Sequence, residues 1–498
     1  MTISNFKLQI CITILALALG HACVFAQAKN PTEADYYPMT RFTLPEGEVI
    51  EPGGIELMPD GKLAVGTRRG EIWMIENPKG DADKMKYTRW AAGLHEILGL
   101  AYRDGWLYIT QRPEVTRAKD LDGDGRGDLF LTVSDDWEIS GDYHEYNFGT
   151  KFDREGNMWF VLCLTGSFSS SVPYRGWAVR VSHDGKFIPT CSGIRSPGGI
   201  GFGPNGDVFY CDNQGPWNGT SSLKHLVPGH FVGHPGGFKW YDLPEVENAM
   251  GPRLDTPKDK SRFHVEKERL PKYIPPAILL PHGKVGNSAS TIIFDDTDGK
   301  FGPFKGQTFV ADQSHSNLVR CHLEKIDGLY QGACFVFRTG FGSGNVPGIL
   351  TKDGHMFIGG TARGWGARGG KPFAMDRLDW SGKVPFEVHE MRIKSDGFEL
   401  TFTKPVDKTT AGDVSSYAMK TWTYIFQSGY GSPEVDHTTP TIKSATVAPD
   451  GKSVRLVVDG LQIGHVHELT MKGIRSADEK LPLLHDTGWY TLWNIPKK

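Results

Sequence analysis

Six short polar stretches, each directly after a hydrophobic run, carry side chains that could do chemistry together. They are Arg68 and Arg69; Gln111, Arg112 and Glu114; Leu164 and Thr165; Asp212, Asn213 and Gln214; Asp312, Gln313, Ser314 and His315; and Arg363 with Trp365. Guanidinium groups bind carboxylates through two parallel hydrogen bonds and stack on flat rings. A ring of such tips therefore suits an anionic, planar, oxygen-rich ligand, and Trp217 and Trp365 offer a stacking wall for a sugar or a quinone. The alternative is that the same residues satisfy turn backbone and channel water. His95 and His315 are the candidate general bases, because neutral imidazole takes a proton near pH 7. Glu114 and Asp312 would matter more if the reaction were cleavage of a polysaccharide.

A second constellation is the run Lys119 to Asp128, in which Asp120, Asp122, Asp124 and Asp128 alternate with glycines. That spacing lets carboxylates converge on one hard cation, with Arg126 contributing its backbone carbonyl, as in the first half of a calcium loop. The place where an EF-hand has its closing glutamate holds Leu131, so calcium here is expected in a structural role; a solvated acidic turn is the other reading. His225, His230 and His234 are spaced through Pro228, Gly229 and Gly233, without the helical spacing of a zinc site. The chain has no GxSxG, no phosphate loop, no dinucleotide fingerprint and no CxxCH, which argues against serine-hydrolase, nucleotide, nicotinamide and c-type haem chemistry. A net charge of −3 and the lack of a basic stripe argue against nucleic acid.

The elements that must position these residues are announced by one repeated pattern, a glycine turn leading into a hydrophobic strand that ends in a polar tip. It occurs as PDGKLAVGTRRG, RDGWLYITQRPE, REGNMWFVLCLTG, PNGDVFYCDNQG, FKGQTFVADQSH and KDGHMFIGGTARG, with turn glycines Gly61, Gly105, Gly156, Gly206, Gly306 and Gly354. A period of roughly 45 to 50 residues, with one double-length gap, is that of a propeller. The expected fold is all-β: a six-bladed β-propeller over residues 46–385, followed by a small β-sandwich of Ig or fibronectin type over 386–498. The strand after each glycine turn is expected to be innermost. The double gap, about 215–285, reads as a lid or rim insertion between blades four and five, or else as a degenerate seventh blade.

Residues 27–45, with Pro31, Pro38 and Pro45, look like an extended lead-in. Ahead of them, Lys7, the apolar run to Gly20 and Val24-Phe25-Ala26 have the form of a signal peptide cleaved after Ala26. The expected location is periplasmic or secreted, with no membrane span after cleavage; a retained anchor or a lipid on Cys23 are the alternatives. Beyond Cys11 and Cys23 remain Cys163, Cys191, Cys211, Cys321 and Cys334, of which Cys321 and Cys334 flank an Asp-Gly turn and could face each other across a hairpin, bridged or as buried thiols.

The stretches PGGIELMPDGKLAVGTRRGEIWMIENP, GLHEILGLAYRDGWLYITQRPEVTRAKDLDGDGRGD and SPGGIGFGPNGDVFYCDNQGPWNG resemble the exported six-bladed propellers of the glucose/sorbosone dehydrogenase-like superfamily, closest to its planctomycete-type branch. The resemblance implies a soluble quinoprotein that binds pyrroloquinoline quinone and calcium and oxidises aldoses with a histidine base and cofactor-clamping arginines. On this chain it maps His95 to the base and Arg363 to a clamping arginine. The cofactor-facing set then comprises Arg68, Gln111, Arg112, Asn213, Gln214, Asp312, Gln313, Arg363 and Trp365. A separate electron acceptor such as a cytochrome is implied. The leading expectation is thus a sugar or alcohol dehydrogenase. The alternatives are a non-enzymatic carbohydrate- or protein-binding propeller and a polysaccharide lyase or hydrolase on the same face.

Overall fold

A computed structural model describes residues 30–166, 168, 169, 171–364 and 366–497. The signal-peptide reading, Cys11, Cys23 and Trp365 lie outside the described residues. Six four-stranded antiparallel sheets follow one another along the chain, and their first strands are Pro52–Leu57, Gly99–Arg103, Asn147–Phe152, Pro197–Phe202, Ala289–Phe294 and Asn345–Leu350. Each of these strands packs against the next and the last returns to the first, so the six sheets are the blades of a closed propeller. The pattern of six turn glycines is thereby explained: all six have φ between 75° and 94°, a region open to glycine without cost.

The innermost strand is the one before each glycine turn, which corrects the expectation that it is the one after. The strands after the turns, such as Leu63–Thr67 and Val208–Asp212, lie second and are buried along their whole length. Buried on both faces, they read as continuous apolar runs. The innermost strands carry a different signature, glycine. A Cβ on Gly99 would lie 1.3 Å from Gly149 O, one on Gly53 2.0 Å from Ile97 O, and one on Gly198 2.2 Å from Ala289 O. Neighbouring blades approach so closely at the axis that only a missing side chain fits.

Blade six is completed by Met39–Arg41, which pairs with Phe373–Asp379, so the lead-in also supplies a blade's outer strand. Blade four is interrupted. Its third strand is Ser222–His225 and its outer strand Ile278–Leu279, so the long segment lies within blade four, not between blades four and five. That segment folds into a 3-10 turn and two short helices, Pro244–Met250 and Phe263–Arg269; the turn and the first helix pack on the outer strand of blade three, Phe187–Ser192, and the second helix on Ala418–Phe426. It supplies no seventh blade. Among its anchors, Ser192 N donates to His230 O at 3.1 Å, Trp177 Nε1 to Gly237 O at 2.9 Å, and Ser261–Arg262 pairs with Ala418–Phe426.

The C-terminal residues form two sheets around one core. Val388–Lys394, Gly397–Phe402, Ser453–Asp459 and Thr441–Val447 face Ala418–Phe426, His465–Thr470 and Thr487–Leu492, with Phe398, Leu400 and Leu456 packed among Met419, Leu469 and Tyr490. The second sheet does not end there. Thr487–Leu492 pairs with Leu329–Arg338, the outer strand of blade five, so propeller and sandwich share one continuous sheet. A charged cluster ties the lead-in to the same region: His485 bonds Glu387 Oε1 at 2.6 Å and Glu33 Oε1 at 3.0 Å, and Glu33 Oε2 accepts from Thr339 N at 2.7 Å and from Arg338 at 3.4 Å. Cys321 and Cys334 are opposite each other in the blade-five hairpin, and all five described cysteines are buried free thiols. No described helix is long and apolar enough to cross a membrane.

Candidate functional site

In an antiparallel four-stranded blade, the second-to-third connection and the crossing to the next blade lie on one face, and the first-to-second and third-to-fourth connections lie on the other. At the axis of the first face a cavity of about 310 Å³ opens among the loops. Its lining draws on both kinds of connection: Arg68, Asn213, Gln214, Gln313 and Ser314 from the expected tips, and His144, Arg195, Ser196, Asn287 and Ser288 from the crossings between blades. Of the crossing residues only His95 is expected at the site from the sequence, and it lies outside the lining; it is the later crossings that bring the chemistry.

His144 precedes the innermost strand of blade three. It is buried, and its Nδ1 lies 3.1 Å from Leu164 O while Nε2 lies 3.1 Å from Ser196 Oγ. A carbonyl oxygen can only accept, so Nδ1 carries the proton and Nε2 keeps a lone pair toward the Ser196 hydroxyl. Burial lowers its pKa below the ordinary imidazole value, and the Arg195 and Arg112 charges act in the same direction. The neutral base is the form present at pH 7. Rings surround it: Tyr143 at 5.7 Å, Tyr146 at 5.6 Å and Phe168 at 6.0 Å between centroids.

Arg195, only 3% exposed, stacks on Phe168 at 4.3 Å and on Tyr430 at 5.3 Å. Its Nη1 donates to Asn213 O at 3.3 Å; its Nε is buried without a partner, and among the described residues no carboxylate pairs with it. The nearby Asp212 is taken by Lys224 Nζ at 3.1 Å. An unpaired buried cation is costly unless something anionic joins it. Asn213 Oδ1 is likewise buried and unsatisfied. Guanidinium, amides and hydroxyls around aromatic walls fit an anionic, planar, oxygen-rich group.

The other expected arginines already have carboxylate partners, with Arg68 and Arg112 sharing one. Arg68 reaches the cavity but donates to Glu96 Oε1 at 2.6 and 2.9 Å and to Tyr146 OH at 3.2 Å. Arg112 pairs with Glu96 at 3.5 Å and with the backbone carbonyls of Glu145 and Asp142. Arg363 is held by Glu51, away from the cavity lining. Gln111 is buried, accepting from His95 N at 2.6 Å and donating to Thr116 Oγ1 at 2.7 Å. His95 is exposed and outside the lining. Asp312 braces the rim by accepting from Asn287 N, Ser288 N and His315 N at 2.7 to 2.8 Å, and burial raises its pKa. His315 is buried beside it, outside the lining, with Nε2 unpartnered. Glu114 is occupied by Thr116 and Gln111, so neither acid of the cleavage reading faces the cavity. Trp217 packs on Phe426 at 5.3 Å and supplies no stacking wall.

Asp120, Asp122 and Asp124 bring carboxylate oxygens within 4.8 Å of one another, but in a third-to-fourth connection, on the face opposite the cavity. Their oxygens also accept from Gly123 N, Gly125 N and Asp124 N, and from Arg126 N; Asp128 accepts from Leu121 N at 2.8 Å. Nor does the insertion close the cavity as a lid: of the stretch 226–285, only His282 reaches the lining.

No protein-family model matches the chain, and no curated protein matches it. Solved structures are similar in fold. One is a glucose dehydrogenase, with TM-score 0.49 and 18% identity over 70% of this chain and 99% of that one. Another is the PQQ-bound aldose sugar dehydrogenase of Streptomyces coelicolor, with TM-score 0.48 and 15% identity over 70% and 99%. A third is the PQQ domain of pyranose dehydrogenase from Coprinopsis cinerea, with TM-score 0.46 and 12% identity over 69% and 95%. The propeller assignment itself rests on the strand pairing.

Proposed function

We propose that the axial cavity is the active site of an exported, quinoprotein-like dehydrogenase that oxidises a hydroxyl group of a sugar or alcohol. The observation that carries this reading is the state of His144, a neutral imidazole whose Nδ1–H is committed to Leu164 O and whose Nε2 lone pair is directed at a hydroxyl. A substrate hydroxyl in place of that of Ser196 hands its proton to Nε2. Arg195, Asn213 and Gln313 are the groups that would hold an anionic planar cofactor of the pyrroloquinoline quinone class. Such a cofactor supplies the acceptor for the hydride leaving the carbinol carbon. Reoxidation then calls on a separate electron acceptor, such as a cytochrome. Calcium, if held by Asp120, Asp122 and Asp124, braces a loop on the far face and takes no part at the cavity.

The rings of Tyr143, Tyr146, Phe168 and Tyr430 favour a second reading, a non-enzymatic carbohydrate-binding propeller, because sugar rings stack on aromatic faces. Titration with pyrroloquinoline quinone and calcium, followed by dye reduction with a panel of sugars, separates the two. The dehydrogenase reading expects a cofactor-dependent absorbance change and sugar-dependent dye reduction. Sugar binding with neither signal leaves the binding reading standing and overturns the first.

A further inference from the structure

Two tyrosines stand 62% exposed at the cavity, and they come from different parts of the molecule: Tyr143 from the crossing between blades two and three, Tyr430 from the C-terminal sandwich. Large exposed aromatics at a concave site are the usual mark of a binding surface. Tyr430 does not arrive there on a loose loop. Its hairpin is tied to blade four by Trp217 N donating to Gln427 O at 2.6 Å and by Ser432 N donating to Gly219 O at 3.0 Å. Within the hairpin Gln427 Nε2 donates to Gly431 O at 3.0 Å, and the blade-four insertion adds Asp259, which accepts from Ser428 N at 2.6 Å. Arg195 covers one contact of the Tyr430 ring and leaves most of it open.

The rings are also arranged in sequence. On one side of His144, Phe168 lies 6.0 Å away between centroids, and Tyr430 lies 6.2 Å beyond Phe168. Tyr143 also touches His144, at 5.7 Å, while Tyr430 reaches it only through Phe168. A single pyranose ring placed against His144 and Tyr143 therefore leaves the open part of Tyr430, reached through Phe168, uncovered.

We propose that Tyr430 is the platform of a second sugar subsite, so that the cavity takes the end of an oligosaccharide: the terminal unit beside His144 and Tyr143, the next unit against Phe168 and Tyr430. The sandwich is then part of the binding site and not a spacer. This rests on the sugar-binding half of the function proposed above and is independent of the redox half.

The test compares mono- and disaccharides of one sugar series by calorimetry on the full chain, alongside melting temperatures. Wild type is expected to prefer the disaccharide by about threefold to tenfold, the usual worth of one stacked ring. In Tyr430→Ala that ratio falls toward one, in Tyr430→Phe it is kept, and all three proteins melt alike. A wild-type ratio near one, or a ratio that Tyr430→Ala leaves unchanged, overturns the proposal. If the ratio behaves as expected in a protein that gives no cofactor-dependent dye reduction, the dehydrogenase reading falls and the second subsite stands.

Discussion

At the seam where the lead-in meets the sandwich, His485 lies between the carboxylates of Glu33 and Glu387, and Arg338 adds a second cation. At the cavity, Arg195 is more deeply buried than His485, Glu33 or Arg338 and has no carboxylate at all among the described residues. The two regions spend buried charge differently. Where every charge has its counterpart inside the chain, the cluster stabilises the fold. Where a buried cation has neither a carboxylate nor a full set of carbonyl partners, as at Arg195, the function proposed above makes a ligand its counterpart. By the same rule Arg68, Arg112 and Arg363, each matched to Glu96 or Glu51, belong to the first kind although they stand near the second.

The sharpest way to break this contrast is at His144. In His144→Ala, sugar-dependent turnover falls by about 10²- to 10⁴-fold, the range for loss of a general base, while the melting temperature barely moves; steady-state kinetics and a thermal scan check both. The seam should do the reverse. Burial alone would lower the His485 pKa, but Glu387 and Glu33 outweigh it and raise it to about 9. A group raised in the folded state stabilises fully below its unfolded value, near 6.5, and the contribution is lost as pH climbs to about 9. Urea unfolding at pH 6 and pH 9.5 should differ by up to about 3 kcal/mol more in wild type than in His485→Gln, with sugar affinity the same in both proteins. A smaller effect is expected at Arg195. Arg195→Met weakens ligand binding by about tenfold or more, and the unliganded protein melts no lower than wild type, since an unpaired buried cation has been replaced by an apolar chain. A drop in melting temperature comparable to that of His485→Gln would erase the distinction.

The blades were legible because their turns impose a backbone that favours glycine, and Gly61 through Gly354 recur for that reason. Which strand of each hairpin faces the axis was misread, since both are apolar. The crowding at Gly53, Gly99, Gly149 and Gly198 was the available signal, because a strand poor in side chains marks a close approach. His144 escaped for a related reason. The tips after each strand repeat with the blade pattern, whereas half of the cavity is made by crossings, which do not; His95, the crossing residue expected at the site, occupies the corresponding place one blade earlier without reaching the lining. Tyr430 left no local trace at all, because its place depends on a sheet shared between blade five and the sandwich. The blade-four insertion lost the repeat pattern because its residues form a 3-10 turn and short helices, which carry neither strand alternation nor a long helical period.

The strand Met39–Arg41 pairs with Phe373–Asp379, more than three hundred residues further along the chain. A ring closed in this way has no stable half. Five blades and part of a sixth leave an open edge at each end, and the loop-closure entropy of joining them is met only when nearly all the chain has been made. Until then the innermost strands have nothing to crowd against, and the cavity, which is built from connections of blades one to five, is incomplete. The protein therefore gains its shape late and its binding site at the same moment.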